Sequence, residues 1–196
     1  AMVTPFTSDG SLDLDEARRL AAYLVAEQDH DALVINGTTG ESPTTNDDEK
    51  RALVKAVKEE VGDGVLVVAG VGTNETAATI SRCRDAAEAG ADGVLVVTPY
   101  YSKPPQDAVA EHLWLVAEAS ELPVMLYDVP GRSAIPMSEQ TIRTVAKHPR
   151  IVAMKDAKGD LASSSTMIAE TGLAYYSGDD ALTLPARSSS TRAEIS

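Results

Sequence analysis

The middle of the chain carries the stretch that decides the fold, Gly93-Val94-Leu95-Val96-Val97-Thr98-Pro99-Tyr100-Tyr101. Its first half is an unbroken apolar run, which is typical of a strand buried on both faces, as in a parallel sheet. Its second half changes abruptly to residues with hydroxyl and phenol groups. The stretch therefore predicts a buried strand that ends at a polar rim.

Similar apolar runs recur along the whole chain. The centres of the first six are 31, 33, 29, 30 and 27 residues apart, which is the length of one strand plus one crossover helix. The runs lie at residues 1–4, 32–36, 65–71, 93–98, 123–127, 151–155 and, more weakly, 173–177.

Helix signals fill the gaps between the runs. Asp13 and Glu16 have the spacing of a helix start, and so do Thr45 and Asp48. The predicted helices lie at about residues 13–27, 45–61, 75–89, 106–119 and 138–147. Strands and helices thus alternate strictly, which predicts an α/β domain.

Two architectures fit this alternation, a doubly wound open sheet and a (β/α)8 TIM barrel. A nucleotide-binding open sheet needs a glycine-rich phosphate loop after its first strand, and the sequence after residue 4 contains none. A barrel instead predicts reactive residues at the C-terminal ends of several strands. We therefore expect a (β/α)8 barrel. About seven βα units are expected, with the eighth strand and the C-terminal helices missing, because 196 residues fall short of the ~250 of a typical barrel.

Composition excludes several classes of protein. The net charge is −13, from 17 Lys and Arg against 30 Asp and Glu, so neither nucleic acid nor an anionic membrane is an expected partner. No apolar run approaches the ~18–20 residues that span a bilayer, and no signal peptide is visible. Cys83 is the only cysteine in the sequence, so no internal disulfide is expected and a cytoplasmic location is favoured.

A metal or another cofactor is not expected at the predicted rim. No cluster of Asp and His residues has metal-ligand spacing there. The histidines are assigned to helix surfaces away from the rim: His30, His112 and His148.

Lys155 is the sharpest chemical feature of the rim. It closes the apolar run that begins at Ile151, and by alternation its side chain shares a face with Ile151 and Ala153. Inside a barrel the amine would be desolvated, which favours the neutral form that attacks a ketone to give a Schiff base. The alternative is a lysine that extends from the strand end into solvent.

Polar groups at the other strand ends are candidates for the remaining chemistry. Tyr127, Thr38 and Tyr101 could form a proton shuttle, and the alternative for each tyrosine is a half-buried core residue. The turn that contains Thr38 and Thr39 offers N–H groups and hydroxyls suited to a carboxylate, or is only a tight turn. Arg132 is a candidate for binding a second carboxylate, or an ordinary surface charge.

Several segments of the chain together have the pattern of one family. They are Val3-Thr4-Pro5-Phe6, Gly37-Thr38-Thr39-Gly40-Glu41-Ser42, Val97-Thr98-Pro99-Tyr100-Tyr101, Tyr127-Asp128-Val129-Pro130-Gly131-Arg132, Lys155-Asp156-Ala157 and Ser177-Gly178-Asp179-Asp180. In order and spacing, from residue 1 to about residue 185, the chain resembles the 4-hydroxy-tetrahydrodipicolinate (dihydrodipicolinate) synthase family of pyruvate-dependent Schiff-base aldolases.

The resemblance implies a lyase that condenses pyruvate with L-aspartate 4-semialdehyde in diaminopimelate and lysine biosynthesis. Lys155 would form the Schiff base with pyruvate, and no cofactor would be needed. Tyr127 would donate and accept protons. Thr38 and Tyr101 would complete the relay, and in the family that tyrosine reaches into the site of a neighbouring subunit.

Substrate binding and assembly also follow from the resemblance. Thr39 would hold the pyruvate carboxylate, Arg132 would hold the carboxylate of the semialdehyde, and Gly178 would also lie at the substrate site. Members of the family are usually homotetramers built as dimers of dimers, so a homo-oligomer is expected. Relatives inhibited by lysine have histidine and glutamate where this chain has Lys50 and Ala78, so weak or absent feedback by lysine is expected.

Three alternatives to the synthase remain open. N-acetylneuraminate lyase shares the lysine and the tyrosine, but typically lacks an arginine at the position of Arg132 and usually has a serine where Thr38 stands. A sugar-acid aldolase of the same superfamily is the second alternative. The third is an inactive, truncated fragment.

The chain departs from the family pattern near its end. Residues 186–196 are rich in Ser and Arg and have no apolar face. We therefore predict an incomplete barrel domain over residues 1–185 and an unrelated, disordered tail over residues 186–196.

Overall fold

The computed structural model describes residues 1–183 and 193–194. Its strands form one parallel sheet in which each strand pairs with the next strand along the chain. The strands are β1 (Ala32–Ile35), β2 (Leu66–Gly70), β3 (Gly93–Val97), β4 (Val124–Asp128), β5 (Ile151–Asp156), β6 (Ala174–Ser177) and β7 (Ala193–Glu194).

This sequential strand order confirms the predicted barrel-type fold. A doubly wound sheet reverses its strand order at a switch point, whereas a barrel adds strands in chain order. Among the described residues no pairing joins β1 to β7. The sheet is therefore part of a barrel wall.

Five of the helices begin close to where the sequence predicts, and two further helices, at residues 130–133 and 161–171, were not predicted. They are α1 (Leu14–Ala26), α2 (Asp47–Val61), α3 (Thr76–Glu88), α4 (Gln106–Ala119), α5 (Pro130–Ser133), α6 (Glu139–Val145) and α7 (Leu161–Thr171). Asp13 caps α1 by accepting a hydrogen bond from the backbone N–H of Glu16, as the spacing indicates. In the described part of the chain, each helix is too short or too polar to cross a membrane.

The predicted start of α2 is wrong by one residue. Asn46, not Thr45, is the N-cap, and it forms a capping box with Glu49. Thr45 is engaged elsewhere, because its hydroxyl donates to the carbonyl of Ser42 at 3.3 Å.

The predicted first strand, at residues 1–4, is not formed. The segment lies beside β1, where the Met2 N–H donates to the Val34 carbonyl at 2.8 Å. The Thr4 hydroxyl instead binds the carbonyl of Gly40 at 2.6 Å, and Pro5 has no N–H with which to continue a ladder.

Side chains alternate between two cores on either side of the sheet. The larger core lies on the outer face and includes Leu33, Leu126 and Met154. The smaller core lies on the inner face and includes Val34 and Tyr127. Because successive residues of a strand face opposite sides, this alternation decides which strand-end residues point into the barrel.

The predicted grouping of Lys155 with Ile151 is wrong. Ile151 belongs to the outer core. The register with β4 shifts within this stretch, since Val124 pairs with Ile151 but Met125 pairs with Ala153. The extra residue breaks the alternation, so only the C-terminal part of β5 follows the predicted pattern.

The surface assignment of the histidines holds for His30 only. His112 and His148 are 6% and 3% exposed. Nδ1 of His112 lies 2.9 Å from the Thr76 hydroxyl, and Nε2 of His148 lies 3.0 Å from a carboxylate oxygen of Glu118. These hydrogen bonds offset the cost of burying a polar ring.

The predicted tail at residues 186–196 lies outside the described residues, apart from β7. The backbone of β7 pairs in parallel with β6. The boundary at residue 185 and the disorder of the tail stay predictions.

Candidate active site

Tyr127 and Lys155 lie side by side at the C-terminal ends of adjacent strands. They are register partners on β4 and β5, and Nζ of Lys155 is 4.7 Å from the centre of the Tyr127 ring. Both residues are buried. The sheet therefore brings a primary amine and a phenol together at the end of the barrel where such folds place their reactive groups.

Burial controls the protonation of Lys155. Lys155 is 5% exposed, so it does not extend into solvent. Desolvation lowers the pKa of its amine from 10.5 to about 8, against a smaller opposing effect of the Asp180 carboxylate. The face of the Tyr127 ring also favours the charged form, but desolvation dominates. The neutral amine, which is the nucleophilic form, is therefore far more populated near neutral pH than in an exposed lysine.

Gly178 leaves room for the stem of this lysine. A Cβ atom at position 178 would lie 3.1 Å from Cε of Lys155 and 3.1 Å from Cβ of Ala157. Contacts this short force neighbouring atoms to move. The structure thus places Gly178 against the lysine side chain.

Thr38 lies close enough to the Tyr127 phenol to act on its pKa. Burial raises the pKa of the Tyr127 phenol above its usual value, although the Thr38 side chain and the positive charge of Arg132 both act to lower it. The phenol therefore stays protonated at neutral pH and is able to donate a proton. Two members of the predicted relay therefore lie close together.

A cavity of about 850 Å³ opens beside the Tyr127–Thr38 pair. Among the described residues, the charged side chains that line it are all cationic: Arg82, Lys103 and Arg132. Arg82 is ion-paired with Asp47 at 2.8 Å, so Lys103 and Arg132 supply the positive charge that favours an anionic ligand in a chain with a net charge of −13. Lys155 is not part of the described lining and packs against the Tyr127 ring. Within residues 1–183, no group of three or more His, Cys, Asp or Glu side chains is arranged to hold a metal ion.

The structure places the other predicted site residues less closely. Tyr101 borders the cavity but is 84% exposed and has a left-handed backbone with φ of 74°. Thr39 is exposed in the turn after β1 and does not border the described part of the cavity. Arg132 on α5 borders the cavity and has no ion-pair partner within residues 1–183.

Sequence reasoning missed two carboxylates on the outer side of the same strand ends. Asp128 follows Tyr127 and Asp156 follows Lys155, so alternation directs both away from the inner face. Asp128 is 1% exposed, and burial raises its pKa to about 7 even though a hydrogen bond from the Met137 N–H acts to lower it. The two-residue period of the strands was the signal that could have located this pair.

Comparisons with known proteins identify a family. The model of the dihydrodipicolinate synthetase family matches residues 1–196. The 4-hydroxy-tetrahydrodipicolinate synthase 2 of Streptomyces coelicolor is 61% identical over 185 residues, and the synthase of Cutibacterium acnes is 60% identical over 183 residues. These alignments cover 94% and 93% of this chain but 62% of each relative. The chain therefore spans less than two thirds of the length of these relatives.

Solved structures agree with this match. A dihydrodipicolinate synthase of Bacillus anthracis has a TM-score of 0.96 at 43% identity. The enzyme of Acinetobacter baumannii, solved in complex with pyruvate, has a TM-score of 0.96 at 36% identity. Each comparison covers 100% of this chain and 68% of the other chain.

Replacement of Gly178 by alanine should impair Lys155 without unfolding the chain. The new Cβ would displace the lysine stem, and we expect the reaction of Lys155 with pyruvate, trapped by borohydride, to slow by about tenfold or more. Gly64→Ala is the matched control, because a Cβ there meets nothing within 4 Å. Equal trapping rates in the two variants would contradict the assigned contact.

Proposed function

The chain belongs to the dihydrodipicolinate synthetase family, and from this premise we propose that it condenses pyruvate with L-aspartate 4-semialdehyde. The product would be 4-hydroxy-tetrahydrodipicolinate, an intermediate of diaminopimelate and lysine biosynthesis. One observation carries the proposal. The buried amine of Lys155 lies against the phenol of Tyr127. Beside this pair is a cavity, and every charged side chain that lines it among the described residues is cationic. Both substrates carry a carboxylate.

The first half of the reaction would form an imine. The neutral amine of Lys155 attacks C2 of pyruvate and a C–N bond forms. The carbonyl oxygen leaves as water together with the two hydrogens of the amine. Tyr127 is the proposed carrier of these protons, with Thr38 beside it. The imine nitrogen takes a proton from the Tyr127 phenol, and the protonated imine withdraws electrons from C3. C3 then returns a proton to the phenolate, which gives an enamine.

The second half would form the carbon–carbon bond. C3 of the enamine attacks the aldehyde carbon of the semialdehyde, and the aldehyde oxygen takes a proton to become a hydroxyl group. The amino group of the semialdehyde then attacks the imine carbon, which closes the ring and releases Lys155. Arg132 is proposed to hold the carboxylate of the semialdehyde, and Thr39 that of pyruvate. Gly178 would contribute by leaving the lysine free to react.

Assembly and location complete the proposal. We infer that the chain acts as a homo-oligomer, a dimer of dimers by resemblance to the family, because the exposed Tyr101 would then complete the relay of a neighbouring subunit. A monomeric variant is nevertheless known among the solved dihydrodipicolinate synthases, with a TM-score of 0.95 at 36% identity. A cytoplasmic location and a reaction without any cofactor other than the covalent imine belong to the same proposal.

Trapping with pyruvate and sodium borohydride tests the first half. We expect a stable adduct in the native chain and none in Lys155→Ala, because the secondary amine forms only at that nitrogen. Lys158→Ala is the matched control and should still be trapped, since Nζ of Lys158 binds the Ser163 hydroxyl at 3.1 Å and lies outside the proposed machinery. A folded chain that forms no adduct would favour the inactive fragment.

The choice of aldehyde tests the second half. We expect consumption of pyruvate with L-aspartate 4-semialdehyde and none with N-acetylmannosamine, the acceptor of a neuraminate lyase. Arg132→Ala should lower kcat/KM for the condensation with L-aspartate 4-semialdehyde by about tenfold or more, because it removes a charge-assisted contact to a carboxylate. Turnover with the sugar, or with a sugar-derived aldehyde only, would assign the chain to another branch of the aldolases.

L-Lysine is not expected to inhibit the condensation. Lys50, at a position where the inhibited relatives have histidine, is buried and donates from Nζ to the Ser42 carbonyl at 2.8 Å and to the Thr45 hydroxyl at 2.7 Å. A fixed cation there would repel the ammonium groups of lysine. Half-inhibition at sub-millimolar lysine would contradict this prediction, and Lys50→His combined with Ala78→Glu is the variant in which inhibition should strengthen.

A further inference from the structure

One carboxylate closes the loop that carries Arg132. Asp128 is the last residue of β4, and its two oxygens lie 3.2 and 3.1 Å from the backbone nitrogen of Met137. Met137 stands just before α6, at the far end of the loop. A single side chain therefore joins the two ends of residues 129–137.

The loop between these ends is also held by α5 and by Gln106, whose side-chain amide donates to the Pro136 carbonyl at 2.9 Å. The buried hydroxyl of Ser133 binds the carbonyls of Val129 and Ile135 at 3.1 and 2.9 Å. Met137 lies in the outer core, whereas Val129 lies in the inner core. Arg132 has no ion pair of its own within residues 1–183. The position of its guanidinium group is therefore set by the backbone of the loop.

The contact between Asp128 and Met137 requires a hydrogen-bond acceptor at position 128 rather than a negative charge. Both Asp128 and Met137 are 1% exposed, so loss of the acceptor would leave a buried N–H group without a partner, which is costly. Lys158 attracts the carboxylate and Asp156 repels it. An amide side chain would supply the same oxygen to Met137 without the charge.

We propose that Asp128 is a positioning residue, which holds residues 129–137 so that Arg132 meets the carboxylate of the second substrate. The proposal rests on the function proposed above, because that function gives Arg132 its role. It extends that function by assigning part of the specificity for a carboxylate-bearing aldehyde to a side chain on the opposite face of the sheet from the cavity.

Asp156 supplies a matched control on the same face. It follows Lys155 as Asp128 follows Tyr127. It accepts hydrogen bonds from the backbone N–H of Lys158 at 2.8 Å and from the Ser164 hydroxyl. It therefore holds the loop after β5, and within residues 1–183 it makes no hydrogen bond to residues 129–137.

Steady-state kinetics of the full chain test the proposal. Asp128→Ala should raise KM for aspartate 4-semialdehyde by about tenfold, because the guanidinium group is no longer held where the carboxylate binds. KM for pyruvate and the extent of borohydride trapping should stay within about twofold. Asp128→Asn should restore the KM of the native chain. An increase in both KM values together, or an Asn variant as impaired as the Ala variant, would overturn the proposal.

A double-mutant cycle shows whether Asp128 acts through Arg132. In an Arg132→Ala background, Asp128→Ala should raise KM for aspartate 4-semialdehyde only slightly further, because the group that Asp128 positions is already gone. Asp156→Ala should add its own effect in full to that of Arg132→Ala. Additive effects of Asp128→Ala and Arg132→Ala would contradict the proposal. If Asp128→Ala does not fold, the Asn variant decides alone, since a raised KM in that variant also contradicts it.

Amide hydrogen exchange separates failure of this proposal from failure of the proposed function. If the native chain traps no pyruvate, the proposed function fails, and the exchange rates then decide whether Asp128 holds the loop. Asp128→Ala should accelerate exchange across residues 129–137 by about tenfold or more, with Asp128→Asn close to the native chain and Asp156→Ala acting on residues 157–164 instead. Unchanged exchange at residues 129–137 in Asp128→Ala would overturn the proposal.

Discussion

Burial of the Lys155 amine is the interaction on which the rest of the site depends. An ammonium group that loses its hydration is destabilised, so the amine is released in neutral form at a pH where an exposed lysine stays charged. Val, Leu and Met side chains around the sheet supply this environment, and Tyr127 covers the amine on one side. The same burial raises the pKa of the Tyr127 phenol. One cause thus favours both a neutral amine and a protonated phenol.

Because side chains alternate along a strand, neighbouring residues at the ends of β4 and β5 face opposite sides of the sheet. Tyr127 and Lys155 face the inside of the barrel, where the candidate active site lies. Asp128 and Asp156, their immediate neighbours, face outward and accept hydrogen bonds from the loops that follow each strand. Each strand end therefore presents one reactive group and one anchor for the adjoining loop, and a register shift of one residue would exchange their roles.

The sequence predicts the fold more completely than the site. Apolar runs and caps located β1 to β6 closely, because buried strands and capped helices are encoded by local patterns. The strand predicted at residues 1–4 is not formed, because the conformation of so short a segment depends on its tertiary contacts. The shift at Ile151 and the burial of His148 were also beyond prediction from local patterns, because register and partner choice are settled by tertiary contacts. Within the site, the neighbourhood of Lys155 and Tyr127 followed from their places at strand ends that share one rim of a barrel. The lining by Arg82 and Lys103 instead joins residues distant in sequence.

The central claim is that the fold delivers a neutral amine at Lys155, and a direct titration of that amine tests it. Lysine labelled with ¹³C at Cε can be followed by NMR across pH in the native chain, and Lys155→Arg assigns the signal by its loss. The account predicts a midpoint near pH 8. A midpoint near the ordinary value of 10.5 would show that burial does not lower the pKa of Lys155, and would contradict this interpretation.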